Sequence, residues 1–422
     1  LTQPTIKWLK VLPTNKEIVM KRFKSIAVAI AMLPFVGFIV SPPPNYAQET
    51  PTKIVLETGE KRAQNPSVSE SDRAQELIQE LRQCLIKTLS NPEQSSLEEM
   101  QGASMECTME VIMLNPDGTI NPNASELMKL LLSASGASMP TTSSKGQASV
   151  KLQPVPNTRL FSLPVTVGDR PRTFLFDTGA SNSILNSEIA EELGLAGTPI
   201  SNRLLSYFVV GDDCSEVKAS LHYLPPLSVD TATVEGISGM GINKESIPGN
   251  FSGVLGLDFL KAFDVILDPQ SLQLQLLPPS PSVAGAAPLI GRFGVMIAEV
   301  EINGKGPFSF LLDTGADIMV LSDRLSSQLS LDTSKAEIDE VRGFCGVESA
   351  KKTTLDMVAL QQHEASNLEA VIINSEVLQL LGVDGIVGQN FLSRYRQHWR
   401  FGQANALGYP EEGSLLLTPL EN

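Results

Sequence analysis

Two short segments of the sequence carry the residues best suited to chemistry. In each, a run of apolar residues leads directly into Asp-Thr-Gly-Ala, with the aspartates at Asp177 and Asp313. A strand end followed by glycine allows a tight turn that directs the carboxylate away from the core. Two carboxylates about 3 Å apart cannot both ionise cheaply, so they share one proton. The ionised member then acts as a general base on water, while the protonated member polarises a carbonyl group.

The pairing of these segments is what makes the signal specific. A lone Asp-Thr-Gly is usually a turn whose aspartate caps its own backbone. At average residue usage, Asp-Thr-Gly-Ala occurs in a chain of this length about once in a hundred sequences. Here it occurs twice, and each copy is followed, 79 and 75 residues after its aspartate, by a glycine behind two apolar residues, Gly256 and Gly388. A purely structural role for both copies is therefore disfavoured.

The two segments belong to an internal repeat. The aspartates lie 136 residues apart, and the two apolar-apolar-glycine elements lie 132 residues apart. After each Asp-Thr-Gly-Ala, a polar residue, Asn186 or Ser322, precedes a short amphipathic segment and is a suitable helix N-cap. The intervening β-branched and apolar runs are broken by Gly, Pro and Asn, which is typical of short strands and turns. The sequence thus predicts two copies of a mainly β lobe of about 130 residues.

At these residues the chain resembles the aspartic peptidases of the pepsin and retropepsin group. The alanine after Asp-Thr-Gly and the short lobes are more similar to the retropepsin branch, and the resemblance covers about residues 155 to 422. It implies two tandem acid-protease β-barrel lobes, a shared catalytic dyad of Asp177 and Asp313, and hydrolysis of peptide bonds without a cofactor or metal. It further implies supporting roles for the active-site loop residues Thr178, Gly179, Ala180, Thr314, Gly315 and Ala316, and for the apolar-glycine residues Val254, Leu255, Gly256, Ile386, Val387 and Gly388.

The sequence departs from the retropepsin pattern in two places. Retropepsins often carry Asp directly after Asp-Thr-Gly-Ala, and the second copy has Asp317 there, but the first has Ser181. The Gly-Arg-Asn often found at the apolar-glycine element lacks its arginine in both copies. Segments near Gly211 and Gly343 are the candidate flaps.

The region before the repeat predicts export and a small helical unit. Residues 1–47 are predicted to be an N-terminal extension plus a signal peptide, which has a basic segment, an apolar run and a cleavage site after Ala47. The remaining divisions are a flexible leader at 48–71, a helical unit at 72–133, a linker at 134–150, the first lobe at 151–280 and the second at 289–422. The predicted location is periplasmic, luminal or extracellular. A membrane partner is expected only if the signal segment stays uncleaved.

Composition limits the partners and the redox state. With 422 residues, 42% hydrophobic residues and a formal net charge of −15, the chain is typical of globular proteins and lacks the basic surface that nucleic acid requires. A peptide or protein substrate is expected. No Cys-x-x-Cys motif occurs, which disfavours a zinc site. Cys84 and Cys107 are expected to form a disulfide. Cys214 and Cys345, at similar places in the two lobes, are either a bridge between lobes or two buried thiols.

Two alternatives remain open from the sequence. The fold could serve as a catalytically silent peptide-binding or sensory module. The lobes could also pair between chains, although the short linker favours a monomer whose two lobes form an intrachain pseudo-dimer.

Overall fold

The computed structural model describes residues 24–25, 70–89, 91, 94–135, 141–206, 209–211, 213–334 and 336–421. A helical unit is followed by two β lobes, so the predicted fold class, mainly β with a small α-helical unit in front, is confirmed. The predicted signal peptide lies outside the described residues, apart from the two-residue strand β1, Lys24–Ser25.

The helices are α1 Glu70–Thr88, α2 Leu97–Thr108, α3 Ala124–Ser135, α4 Ser187–Glu192, α5 Asn202–Ser206, α6 Leu257–Leu260, α7 Asp323–Leu329, α8 Glu376–Leu381 and α9 Gln389–Leu392. A π-helical turn, Met109–Met113, extends α2, and 3-10 turns lie at Lys244–Ser246 and Pro248–Asn250. Among the described residues, none of the helices combines the length and the apolar character that crossing a bilayer requires.

The helical unit is held together by a capping box and a disulfide. The Ser96 hydroxyl accepts a hydrogen bond from the Glu99 amide at 3.1 Å, and the Glu99 carboxylate accepts one from the Ser96 amide at 2.7 Å. This reciprocal pair satisfies two free donors at the start of α2. Cys84 of α1 and Cys107 of α2 form a disulfide, which confirms the predicted pairing.

The helical unit packs against the lobes. Glu106 accepts a hydrogen bond from the Ser201 hydroxyl at 2.5 Å, and Glu110 forms an ion pair with Arg203 at 2.8 Å. The first turn of α3 lines a cavity together with α8 of the second lobe. Apolar side chains of the helices also belong to a buried cluster that includes residues of both lobes. The helices are thus part of one folded body with the β structure.

One sheet is built from the first half of the repeat. Its strands are β2 Ser143–Lys145, β4 Gln153–Pro154, β5 Phe161–Val167, β6 Arg170–Phe176, β7 Ile184–Asn186, β8 Gly197–Ile200, β9 Ala219–Tyr223, β10 Leu227–Val229, β11 Ala232–Glu235, β12 Ser238–Ile242 and β13 Gly253–Leu255. The strand order is β2-β11-β10-β5-β6-β13-β7-β12-β9-β8, with β4 paired to β5.

A second sheet joins the two halves. Besides β1, its strands are β3 Ala148–Lys151, β14 Asp264–Asp268, β15 Gln273–Leu277, β16 Ala287–Arg292, β17 Val295–Ile302, β18 Lys305–Leu312, β19 Met319–Ser322, β20 Ile338–Gly343, β21 Gly346–Leu360, β22 His363–Ile373, β23 Gly385–Val387, β24 Tyr395–Phe401 and β25 Glu412–Pro419. The order is β1-β20-β21-β22-β19-β23-β18-β17-β16-β25-β24-β14-β15-β3. Val265 of β14 lies opposite Trp399 of β24, so strands from the first half extend the sheet of the second.

Both lobes use the same local arrangement to bring a strand end to the centre of the molecule. Strand β6 runs parallel to β13, and its last residue, Phe176, lies opposite Leu255. Strand β18 runs parallel to β23, and its last residue, Leu312, lies opposite Val387. All four side chains are fully buried. Each apolar-glycine element therefore packs beside the strand that carries an aspartate, which fixes where that aspartate leaves the sheet.

The predicted N-caps are also confirmed. The Asn186 side chain accepts a hydrogen bond from the Glu188 amide at the start of α4. The Ser322 hydroxyl accepts one from the Leu325 amide at the start of α7. In each lobe the cap ends the strand that follows the Asp-Thr-Gly-Ala turn, so the repeat is preserved down to single hydrogen bonds.

Candidate active site

The two aspartates are positioned by backbone contacts to the apolar-glycine elements. The Asp177 amide donates to the Leu255 carbonyl at 3.2 Å, and the Asp313 amide donates to the Val387 carbonyl at 3.0 Å. One residue beyond each glycine, the Leu257 and Gln389 amides donate to the Ala180 and Ala316 carbonyls, both at 2.7 Å. Each Asp-Thr-Gly-Ala turn is therefore held at both ends.

Within each turn the carboxylate accepts hydrogen bonds from the following amides. Asp177 Oδ1 accepts from the Gly179 amide at 2.7 Å and from the Ala180 amide at 3.1 Å. Asp313 Oδ1 accepts from the Gly315 amide at 2.7 Å. One oxygen of each carboxyl is thus fixed by its own turn, which leaves the other oxygen for the opposite carboxyl and for a ligand.

The two turns interlock through their threonines. The Thr178 hydroxyl donates to the Leu312 carbonyl at 3.1 Å and accepts from the Thr314 amide at 3.1 Å. The Thr314 hydroxyl donates to the Phe176 carbonyl at 3.4 Å and accepts from the Thr178 amide at 2.9 Å. Four hydrogen bonds, all buried, therefore tie the lobes together directly beneath the aspartates.

The glycine in each turn allows the aspartate of the opposite lobe to approach. A Cβ atom on Gly179 would lie 2.4 Å from Asp313 Cγ, and one on Gly315 would lie 2.4 Å from Asp177 Cγ. Real Cβ contacts are never this short, so only glycine fits at either position. The same measurements place each turn against the carboxyl group of the other lobe, within one chain.

Burial and mutual contact shift the acid–base behaviour of the two carboxyls. Both residues are 0% exposed. Burial, and next the charge of Asp313, raise the pKa of Asp177 well above its usual range. Burial also raises the pKa of Asp313 to about 7, against the lowering effect of the neighbouring Asp177 carboxyl and of hydrogen bonds from backbone amides. Asp177 Oδ2 and Asp313 Oδ2 are buried and have no hydrogen-bond donor among the described residues. A proton held between the carboxyls would satisfy them.

The structure brings all the predicted site residues together in these two turns and the two elements behind them. It also contains contacts that the sequence did not predict. The Ser183 hydroxyl donates to Asp258 Oδ1 at 2.7 Å and accepts from the Gly256 amide at 3.1 Å. Burial raises the pKa of Asp258. A signal was present in the repeat, because polar Ser183 aligns with apolar Met319.

A second unpredicted contact joins the lobes beside the dyad. Asp317 Oδ1 accepts from the Arg159 amide at 2.5 Å, and the Arg159 guanidinium lies 3.8 Å from the same oxygen. At the matching place in the first lobe, the Ser181 hydroxyl donates to the Phe293 carbonyl at 2.8 Å. The departure noted at Ser181 therefore corresponds to a neutral contact in one lobe and a charged contact in the other.

The candidate flaps near Gly211 and Gly343 meet. Cys214 and Cys345 form a disulfide between the lobes, so the bridge, rather than two buried thiols, is present. The Cys345 amide donates to the Val210 carbonyl at 3.2 Å, and the Asp213 amide donates to the Cys345 carbonyl at 3.1 Å. Two disulfides fit a protein of an oxidising compartment.

Within the part of the chain that the structure describes, no cluster of three or more His, Cys, Asp or Glu side chains is arranged to hold a metal ion.

Comparison with known proteins finds one family match in each lobe. The family model described as "gag-polyprotein putative aspartyl protease" matches residues 163–262 and again residues 298–394. Among solved structures, the chain is similar to a retropepsin-like aspartic protease from Rickettsia conorii, with 17% sequence identity over 33% of this chain and 99% of that one, and a TM-score of 0.23. No curated protein matches the chain. The two matched segments contain the two Asp-Thr-Gly-Ala turns, so each lobe of the chain matches this aspartyl protease family model.

Proposed function

We propose that the protein is an aspartic endopeptidase with a single site, in which Asp177 and Asp313 form the catalytic dyad. The observation that carries the proposal is the mutual approach of the two turns. Each turn presents a buried carboxyl to the glycine of the other lobe, at a distance that excludes any side chain there. A binding module has no need for two aligned carboxyls whose pKa values are both raised by burial.

The proposed reaction needs one proton on the pair. The ionised carboxyl removes a proton from a water molecule, which attacks the peptide carbonyl carbon, while the protonated carboxyl donates a hydrogen bond to the carbonyl oxygen. The carboxyls then exchange roles as the leaving amine takes a proton. The two titrate as a unit. Because burial raises the pKa of both carboxyls, kcat/KM is expected to follow a bell-shaped pH profile whose two limbs both lie above the ordinary carboxyl value of 3.8.

The substrate proposed is a peptide or unfolded segment of a protein, bound by one chain as an intrachain pseudo-dimer. We also propose export through a signal peptide within residues 1–47. For the helical unit at 72–133 we propose a regulatory or docking role. It contacts the first lobe through Glu106 and Glu110, and its apolar side chains belong to a buried cluster that includes residues of both lobes.

Asparagine substitution tests the dyad. Asp177→Asn and Asp313→Asn should each lower kcat for a peptide substrate by about a thousandfold or more, since Asn is nearly isosteric but cannot act as the base. Asp264→Asn is the matched control, because Asp264 is also buried but lies in β14, outside the turns. It should leave kcat unchanged. Loss of activity in only one dyad variant would contradict a shared site, and unaltered activity in both would favour the peptide-binding module.

A further inference from the structure

The lobes are also joined by a pair of loops that lie away from the threonine interlock. We call residues 209–211 and 213–214 the first tip and residues 343–346 the second tip. The tips are so close that a Cβ atom on Gly343 would lie 2.0 Å from the Val210 carbonyl oxygen, and one on Gly211 would lie 2.3 Å from the Cys345 carbonyl oxygen. The Cys214–Cys345 disulfide crosslinks them, joining residues 131 apart in sequence and in different lobes.

The dyad is shielded from solvent in this arrangement. Asp177 and Asp313 are 0% exposed. The tip residues Val209, Val210 and Phe344 belong to the same buried cluster as Ala180 and Ala316, which directly follow the two Asp-Thr-Gly motifs. Some contact around the dyad must therefore open to admit a ligand.

The threonine interlock and the tips differ in how they can open. Parting the turns would break four buried hydrogen bonds and displace the carboxyls themselves. Apart from the disulfide, the tips are held by two backbone hydrogen bonds and by the burial of Val210 and Phe344. Local fluctuation can open such noncovalent contacts, but it cannot break a covalent S–S bond. The disulfide is thus the element that decides whether the tips can separate.

We propose that Cys214–Cys345 is a redox modification site that controls entry to the dyad. With the disulfide formed, the tips stay together and the site is closed. After reduction by a dithiol, the tips separate and an extended peptide enters. The inference rests on the proposed function in that the ligand admitted is taken to be the peptide substrate.

The reduction is an ordinary thiol–disulfide exchange. Cys214 is 8% exposed and Cys345 is fully buried, so the thiolate of the dithiol attacks Cys214 Sγ. The S–S bond breaks, a mixed disulfide forms on Cys214, and Cys345 leaves as a thiolate that takes up a proton. The second thiol of the reductant displaces Cys214, which is protonated in turn. Two electrons pass to the protein, and the dithiol leaves as a disulfide.

The other disulfide provides a matched control. Cys84–Cys107 joins two helices of the same unit, 23 residues apart in sequence, so its reduction parts no contact between the lobes. In a Cys84→Ser/Cys107→Ser variant, the tip disulfide is the one bond left for a reductant to act on, and the tips keep their own residues. The Cys214→Ser/Cys345→Ser variant represents the open form without any reductant.

The test measures amide hydrogen exchange and the binding of a peptide that carries a statine-type hydroxyl. In the Cys84→Ser/Cys107→Ser variant, dithiothreitol should speed exchange at residues 343–346 and 178–180 and tighten peptide binding about tenfold or more, since the competent fraction sets the apparent affinity. The Cys214→Ser/Cys345→Ser variant should bind tightly with or without dithiothreitol. The proposal is overturned if the oxidised protein exchanges and binds as the reduced protein does.

Peptide hydrolysis by the same samples separates this proposal from the proposed function. Hydrolysis at equal rates with and without dithiothreitol would reject the redox control and keep the endopeptidase. Faster exchange and tighter binding on reduction, without hydrolysis in any sample, would keep the redox control and reject the endopeptidase.

Discussion

The two lobes share the geometry that places the carboxyls but differ in what surrounds it. The turns mirror each other in their amide-to-carboxylate bonds, in their threonine interlock, and in the 2.4 Å approach of each glycine to the opposite carboxyl carbon. One residue further along, the first lobe has a neutral hydroxyl contact at Ser181 and the second has a carboxylate, Asp317, beside Arg159.

The difference extends beneath the turns. In the first lobe, Ser183 and Asp258 form a buried polar contact that reaches the Gly256 amide. In the second lobe, the matching positions are Met319, which is fully buried, and Asn390, whose side chain donates to the Glu369 carbonyl at 2.7 Å. A duplicated chain can thus vary the support of each lobe independently, as long as the interlocked turns keep their shape. The site is symmetric where the proposed chemistry occurs and asymmetric around it.

The largest expected effect tests the symmetric part. Gly179→Ala and Gly315→Ala should each reduce kcat/KM by about a hundredfold or more, because the added methyl group displaces the opposite carboxyl by about 1 Å. Gly102→Ala, in α2, is the control, since a Cβ there meets nothing within 4 Å. The two losses should be similar. A large loss at one position with little change at the other would mean that the turns are not functional mirror images.

A smaller effect concerns stability and pH. The pKa of both dyad carboxyls is raised in the folded chain. The folded state therefore binds more protons than the unfolded state between the ordinary value of 3.8 and about 7, and stability falls as pH rises through that range. Asn cannot ionise, so Asp313→Asn should lose part of this dependence.

Calorimetric melting at pH 4 and at pH 7.5 measures this effect. The Tm of Asp313→Asn minus that of the unmodified protein should be about 2 °C or more higher at pH 7.5 than at pH 4. Asp177→Asn should behave similarly. A difference in Tm that does not depend on pH would show that the dyad does not carry the proposed excess of protons.

The smallest effect tests the asymmetric part. Arg159→Ala should lower the free energy of unfolding by less than about 1 kcal/mol. The guanidinium is half exposed, and the hydrogen bond from the backbone amide at this position to Asp317 remains. Ser181→Ala removes a hydrogen bond donated by a fully buried hydroxyl and should lower the free energy of unfolding by about 1 kcal/mol. Urea unfolding at low and at high salt measures both effects, and high salt should reduce only the contribution of Arg159. Equal salt sensitivity in both variants would contradict the assignment of one charged and one neutral contact.

The repeat made the centre of this fold predictable. Local sequence patterns predict the positions of Asp177, Asp313 and the apolar-glycine elements, because adjacent residues specify each strand end, turn and N-cap. The same pattern, read twice, predicted that two lobes would lie in one chain. The Cys84–Cys107 disulfide was predictable for the same reason, because both cysteines lie in neighbouring helices.

The remaining contacts depend on how distant segments dock. Arg159 and Asp317 are 158 residues apart, and no local pattern pairs them. Strands β14 and β15 extend the sheet of the second lobe because β24 offers an open edge there, and this edge is visible only in three dimensions. Cys214 and Cys345 lie at similar sequence distances from their aspartates, which indicated a possible bridge. The choice between a bridge and two thiols depends on whether the two tips meet in three dimensions.

The stoichiometry of inhibitor binding tests most directly whether both lobes build one site. A peptide whose statine-type hydroxyl stands for the attacking water should bind, by titration calorimetry of the Cys214→Ser/Cys345→Ser variant, at one molecule per chain. Introducing Asp177→Asn or Asp313→Asn into that variant should each weaken binding by about a hundredfold, since either change removes the shared proton from the pair. Binding of one inhibitor per two chains, or binding that only one of the two substitutions weakens, would contradict a site shared by the two lobes of one chain.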